Sequence, residues 1–361
     1  MGANSFGRFF TLTTFGESRS AGLGAVIDGC PAGIPLCAED IQKELNRRKP
    51  GSSGLFSTKR NEDDLCEILS GVFEGKTLGS PIAVLVRNRE TSSKDYENLK
   101  DVYRPGHADY SYDLKYGHRD YRGGGRSSGR ETIGRLIGGA VAKKVLEAFA
   151  LKEDKKPIEV QVRAEEIAGL KTSLPLKEDD VLPEPIFERL SALSSNGDSA
   201  GCVLSCSVLN VPEGLGSPVF GKLDAVLSQA LMSIGAVKGI ETGGGFYSAS
   251  ISGSENNDIS KNYSGGILGG ISCSMENLLN SNNDGGRKDK STCQIDLRLA
   301  VKPVPSIKMN QASFNKRGEK CMLSVGGNHD ICLFPRIVPV VEAMCYLVLA
   351  DAFLVSKIER F

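Results

Sequence analysis

Histidine is scarce in this chain of 361 residues, with only three, His107, His118 and His329. The ten cysteines (Cys30, Cys37, Cys66, Cys202, Cys206, Cys273, Cys293, Cys321, Cys332 and Cys345) include no CxxC pair. Together these spacings argue against a metal centre of the zinc type. The same scatter offers no disulfide framework, so reduced thiols in a cytoplasmic setting are expected. Net charge is also lacking, because 44 basic residues balance 44 acidic ones. No global field therefore draws the chain to nucleic acid or to a membrane surface, and any anion site must be local. Long uninterrupted apolar runs are missing too. MGANSFGRFF has no signal-peptide core, and the most hydrophobic stretch, Ile337 to Leu354, is broken by Glu342 and Asp351, as in a buried helix rather than a membrane span. No repeat of fixed period occurs.

What the chain does have is ordinary globular content, 40% hydrophobic and 24% charged, with 42 glycines that imply many turns and close backbone approaches. Its length leaves both two domains and one large domain open. Ala25-Val26-Ile27 before Asp28-Gly29 reads as a strand entering a turn. Ala38 to Arg48 reads as a helix opened by Glu39-Asp40 and closed before Pro50-Gly51, which carries Arg47 and Arg48 to its C-terminal end. From Glu131 the apolar positions Ile133, Leu136, Ile137, Ala140, Val141 and Val145 predict an amphipathic helix to about Phe149, with its N-terminus at Ser127-Ser128-Gly129. The Lys-, Glu-, Asp- and Pro-rich stretch from Leu151 to Ser199 predicts irregular structure with short helices on the surface. Leu223 to Ile234 predicts another helix, Asn282 to Thr292 a polar turn, and Cys293 to Val301 a strand.

The chemistry concentrates in Tyr121 to Thr132, where three consecutive glycines meet a helix start beside Arg122, Arg126 and Arg130. Backbone N–H groups at a helix N-terminus bind anions, and guanidinium groups hold phosphate or carboxylate at two points. A glycine loop ahead of a solvated basic helix start is the plainer alternative. The stretch lacks both the GxGxxG spacing and a preceding buried strand, so it is no dinucleotide fingerprint. Gly71 to Thr77 falls one residue short of a P-loop and reads as a structural turn. His107, on the turn Arg104-Pro105-Gly106-His107-Ala108-Asp109-Tyr110, has the titration range of a proton donor, or packs as a core histidine. His329 stands beside Asp330, just before the apolar C-terminal segment.

The segments TTFGES, DGCPAG, RRKPG, LSGVFEGKT, YRPGHADY, RDYRGGGRSSGRET, GLGSPVFGKLDA, AVKG, GGILGGIS, KPVPSI and PVVEAM occur in one order over nearly the whole length. In this the chain resembles the chorismate synthases. The resemblance implies a single α+β domain spanning residues 1–361, with helices packed between antiparallel sheets, assembled as a homotetramer. The implied activity is the last step of the shikimate pathway, which leads to the aromatic amino acids. In it, 5-enolpyruvylshikimate-3-phosphate loses phosphate and a ring hydrogen by 1,4-anti elimination to give chorismate. Reduced FMN is the implied cofactor, supplied by a separate flavin reductase because no domain-sized segment remains for a built-in one. Carried over by motif, Arg47, Arg48, Arg104 and Arg130 resemble substrate-binding residues, with Asn328 at a further substrate position. His107 resembles the histidine that protonates reduced flavin. Arg126, Ser127, Ser128, Lys302 and Ser306 match flavin-contacting positions, as do Asn262 and Gly266, and Asp330 resembles the carboxylate that relays the ring proton.

Three departures bear on turnover. The family's GESHG reads Gly16-Glu17-Ser18-Arg19-Ser20, so Arg19 replaces a histidine that assists phosphate departure. An arginine stabilises an anion but is a poor proton donor. Asn328 stands where the family has arginine, and Gly54 falls at a third arginine position. Milder departures are Gly129, Gly235 and Cys273-Ser274. An active chorismate synthase with compromised turnover and a catalytically impaired flavin- or anion-binding relative are the two expectations.

Overall fold

The computed structural model describes residues 2–49, 56, 62–89, 94–275, 292–326 and 329–359. The first sheet is built from β1 (Ser5–Phe6), β2 (Thr11–Gly16) and β3 (Gly22–Asp28), followed by helix α1 (Ala38–Arg48) and β4 (Cys66–Ile68). A hairpin of β5 (Val72–Phe73) and β6 (Lys76–Thr77) then leads into β7 (Ile82–Arg87). The strand order is β1-β2-β3-β7-β4, antiparallel throughout. The near-P-loop stretch is the β5/β6 hairpin, a structural turn.

Helices α2 (Asp109–Tyr116) and α3 (Thr132–Lys152) precede β8 (Glu159–Ile167), β9 (Leu170–Leu176), α4 (Glu184–Ser195) and β10 (Cys202–Pro212). Next come α5 (Leu223–Met232), β11 (Val237–Thr242), the single turn α6 (Gly253–Asn256) and the hairpin β12 (Ile267–Leu268) with β13 (Ile271–Ser272). The chain ends with β14 (Thr292–Val301), the hairpin β15 (Gln311–Phe314) with β16 (Lys320–Leu323), and α7 (Val338–Glu359). The second sheet runs β11-β14-β10-β8-β9 and is also antiparallel.

The helices lie between the two sheets: α3 packs on β2, β3, α1 and α7, while α7 packs on β8 and α5. This is an α+β fold. A continuous apolar core joins inward residues of both sheets, such as Ile27, Val84, Leu204 and Ile295, through Ile137 and Leu347 of the helices. Glycine sets the spacing of the two long helices, because a Cβ on Gly139 would lie 2.3 Å from the Ala343 Cβ. Helix α7 has the length and mean hydropathy, 2.0, of a membrane span, but 83% of its most apolar stretch is buried in the fold. The two acids that interrupt it both bind. Asp351 accepts backbone N–H bonds from Arg8, Phe9 and Phe10 at 2.7 to 3.0 Å, and Glu342 pairs with Arg47.

The helices at Ala38, Leu223 and the C-terminus and the strand ending at Val301 follow the sequence pattern. Two stretches depart from it. Leu151 to Ser199 forms the β8/β9 hairpin and α4 rather than irregular structure. Val160, Val162 and Ala164 face the core, and the charged residues between them mask a two-residue period. The α3 helix starts at Thr132, not at Ser127, because two 3₁₀ turns, Gly125–Ser127 and Gly129–Glu131, intervene around an extended Ser128. Of the expected polar turn, residues 282–291 lie outside the described residues.

Candidate active site

The glycine run forms one wall of a large cavity. Gly123, Gly124 and Gly125 have φ of +74°, +100° and +53°, a left-handed succession that only glycine adopts without strain. A Cβ at Gly123 would meet Ser18 Oγ at 3.0 Å and Arg19 Cγ at 3.6 Å, while one at Gly124 would meet His107 Cε1 at 3.1 Å. The run thus threads between Arg19 on one side and the His107 imidazole on the other. Beyond it, Ser127 Oγ donates to Gly124 O (2.7 Å), and Ser128 Oγ accepts from the Arg130 N–H (3.3 Å).

The cavity holds about 1400 Å³. Eleven residues singled out in the sequence line it: Arg19, Arg48, Arg104, His107, Arg126, Ser127, Ser128, Arg130, Lys302, Ser306 and Asp330. Asp109, at the first turn of α2, organises the histidine side. It takes a two-point contact from Arg104 (2.7 and 2.8 Å), pairs with Arg119 (3.2 Å) and lies 3.0 Å from His107 Nδ1. Burial alone would raise the Asp109 carboxyl, but the bonds from Arg104 and His107 hold it far below the carboxylate range. His107 is pushed below its ordinary value, first by burial and then by Arg104 and Arg119, against the pull of Asp109. With Nδ1 turned to Asp109, Nε2 faces the glycine run and the cavity. Lys302 Nζ donates to Gly106 O at 2.8 Å and so ties down the turn that carries His107. Burial and the neighbouring Lys238 lower the Lys302 ammonium.

The arginine side is built on paired charges. Arg48 Nη2 and Arg130 Nη1 bind the two oxygens of Asp64 at 3.0 and 2.9 Å. Arg130 also pairs with Glu62 and bonds Asn88 Oδ1 (2.6 Å). Burial, then the adjacent Arg336, pushes Arg48 down to about 10. Asp330 is paired with Arg336, whose Nε donates to the Arg48 carbonyl at 3.1 Å. The Arg19 guanidinium lies over the Tyr96 ring, 5.3 Å from its centroid, with Nη2 3.5 Å from the phenol oxygen.

Three assignments are not gathered into the cavity. Arg47 is held by Glu178 (2.7 Å), Glu342 (2.6 Å) and Glu44 (2.9 Å), so its guanidinium edges are engaged away from the site. Asn262 bonds Asp296 (2.8 Å) and the Gly266 N–H (2.8 Å). Gly266 has a packing reason for being glycine, since a Cβ there would lie 1.9 Å from Gln294 O on β14. Arg122, part of the sequence's basic cluster, pairs with Asp120 at 2.8 Å. Asn328 and Gly54 lie outside the described residues. In turn, sequence reasoning missed Asp109, Glu62, Asp64, Tyr96, Lys238 and Arg336. Asp109 had a signal, standing two residues after His107 at a helix start. Arg336 had none, because a basic residue ahead of an apolar helix reads as solvated.

Arg47→Ala is accordingly expected to lower stability by about 2–3 kcal/mol, since Glu342 stays buried without its cation, while KM changes less than twofold. Urea unfolding beside steady-state kinetics checks this, and a large KM change at unaltered stability would return Arg47 to the site.

Comparison with known proteins gives one family. The family model described as chorismate synthase matches residues 10–354. The chain is similar to a chorismate synthase of Treponema denticola, 91% identical over the full length of both, and to one of Syntrophobacter fumaroxidans, 47% identical over 98% of each. A solved structure, "Crystal Structure of Chorismate Synthase", superposes with a TM-score of 0.70 at 30% identity, covering 97% of this chain and 93% of that one.

Proposed function

The chain belongs to the chorismate synthase family, and from that premise we propose that its cavity holds 5-enolpyruvylshikimate-3-phosphate against reduced FMN, with the residues above in defined roles. The reaction is the elimination that gives chorismate in the shikimate pathway, so the enzyme is a lyase. A cavity of about 1400 Å³ exceeds what one small ligand fills and suits a flavin and a substrate side by side. Ser127, Ser128, Ser306, Arg126 and Lys302 present hydroxyl and cationic donors suited to a flavin with its phosphate, and the glycine run permits close approach. Asn262 and Gly266, outside the cavity of one chain, keep a flavin role only through a neighbouring copy, in keeping with a homotetramer.

The substrate carries a phosphate and two carboxylates. Arg48 and Arg130, both buried, and the half-buried Arg336 and Arg19 surround that charge, and at the buried pair an ion pair is stronger than in bulk solvent. As the carbon–oxygen bond to phosphate breaks, Arg19 remains charged and stabilises the departing anion, a task for which the guanidinium is suited even though it donates no proton. His107, fixed by the Asp109 contact at Nδ1, turns Nε2 toward the cavity, where the ring delivers a proton once the anionic substrate has favoured its charged form. Asp330, steadied by Arg336, is the carboxylate placed to accept the ring proton. Reduced FMN, when bound, supplies electron density that is recovered at the end, so there is no net redox change. Reduced FMN comes from a separate reductase, in a cytoplasmic setting.

The observation that carries this reading is the convergence of Arg48, Arg104, His107, Arg130, Lys302, Ser306 and Asp330, from distant parts of the chain, on one cavity. Purified protein incubated anaerobically with reduced FMN and substrate is expected to release phosphate and chorismate in equal amounts. Flavin binding without phosphate release would sink it.

A further inference from the structure

Behind the anion-binding wall lies a carboxylate that touches two of its arginines at once. Asp64 offers Oδ2 to Arg48 Nη2 at 3.0 Å and Oδ1 to Arg130 Nη1 at 2.9 Å. Its side chain is fully buried, and those of Arg48 and Arg130 are 3% and 4% exposed. Its backbone has φ of +49°, left-handed and rarely adopted by residues other than glycine, asparagine and aspartate. Such a conformation is strained and persists where the surroundings impose it. Gln42 contributes by donating from Nε2 to the Asp64 carbonyl at 3.2 Å.

The two guanidiniums are pinned on the edges that face this carboxylate. Arg130 is further held by Glu62 and by Asn88 Oδ1, and Asn88 in turn donates to Glu17 O (3.1 Å) and Ser20 O (2.8 Å). Arg48 also lies 3.4 Å from Gly129 O. Without the bridge, two like charges packed side by side repel. An arginine also has rotamer freedom to lose on binding a ligand. A shared carboxylate removes both obstacles before a ligand arrives.

We propose that Asp64 is the positioning residue of the substrate site: by bridging Arg48 and Arg130 it sets the separation and orientation at which the two guanidiniums receive one polyanionic substrate. Glu62 supports the Arg130 half. The proposal rests on the reading that these arginines bind the substrate. Because those anionic groups are held before and during the reaction, loss of the bridge weakens ground state and transition state alike and acts on KM more than on kcat.

The test compares Asp64→Asn, Glu62→Gln and Arg130→Lys by steady-state kinetics under anaerobic conditions, with FMN affinity and thermal unfolding measured alongside. D64N is expected to raise the substrate KM ten- to a hundredfold, with kcat within fivefold and FMN affinity within twofold of the unaltered enzyme. E62Q, which loosens the Arg130 end of the bridge and serves as the readout if D64N fails to fold, is expected to raise KM three- to tenfold. A KM within twofold of the unaltered value in a folded D64N protein would overturn the proposal, as would a fall in kcat at constant KM. If D64N does not fold, an unchanged KM in E62Q overturns it. R130K separates the two readings. A raised KM there with none in D64N removes Asp64 alone, whereas an unmoved KM in R130K removes the assignment of the arginines on which the proposal stands.

Discussion

His107→Ala is expected to lower kcat by about 10²- to 10⁴-fold, the range for removing a positioned proton donor, while KM for the substrate and affinity for FMN change little. The geometry separates these effects. The imidazole lies against Gly124 at the cavity wall, whereas the guanidiniums of Arg48, Arg130 and Arg336 line another part of the same cavity. The pH dependence carries a sign. Burial depresses the His107 pKa, so the ligand-free protein holds the ring neutral at pH 7, and protonation there opposes stability as pH falls through the depressed value. A dianionic phosphate nearby favours the charged ring, so a turnover step that needs this proton declines as pH rises, and that limb disappears in the alanine variant. Asp109→Asn removes the one neighbour that raises the ring's pKa, so the limb moves to lower pH. Stopped-flow rates from pH 6 to 9 check both, and a loss below tenfold in H107A would remove His107 from the proton transfer.

The histidine and the arginines were legible in the sequence because the RPGHAD segment holds one of only three histidines and RGGGRSSGR gathers three arginines around a glycine run. Their surroundings were less so. Arg47 and Arg48 are adjacent in sequence, but on a helix neighbours lie about 100° apart. One turns to Glu44, Glu178 and Glu342, and the other to Asp64. A motif read in one dimension treats them alike. At Asn328 the sequence shows only the loss of a cation, whereas in the fold Arg336 reaches the neighbouring Asp330. Likewise, the exchange of histidine for Arg19 reads in sequence as an anion stabiliser that donates no proton, but not where it sits: its guanidinium lies over Tyr96, a residue 77 positions away that no local pattern links to it. The fold shows the same limit. Strands with alternating apolar residues were readable at β14, whereas β8 was hidden by the charges on its outward positions.

Arg130→Ala is expected to have the largest effect on the substrate side, raising KM by 10²-fold or more and lowering stability by about 3–5 kcal/mol, as for removal of one partner of a buried ion pair. Arg130 pairs with Glu62 and shares Asp64 with Arg48. Its deletion leaves the fully buried Asp64 carboxylate with Arg48 as the remaining half of its pair. Burial would raise the Asp64 pKa, and it is Arg48 and Arg130 that hold it below the ordinary value. A depressed carboxyl contributes stability above its unfolded pKa and loses it as pH falls. In the variant that depression is relaxed, so the stranded charge is relieved by protonation and the deficit relative to the unaltered enzyme shrinks from pH 8 toward pH 4. Urea unfolding of both proteins at the two pH values measures this. A deficit independent of pH would mean that lost packing, not an uncompensated carboxylate, dominates, and Arg130→Met, which keeps much of the volume without the charge, would then recover most of the stability while leaving KM high.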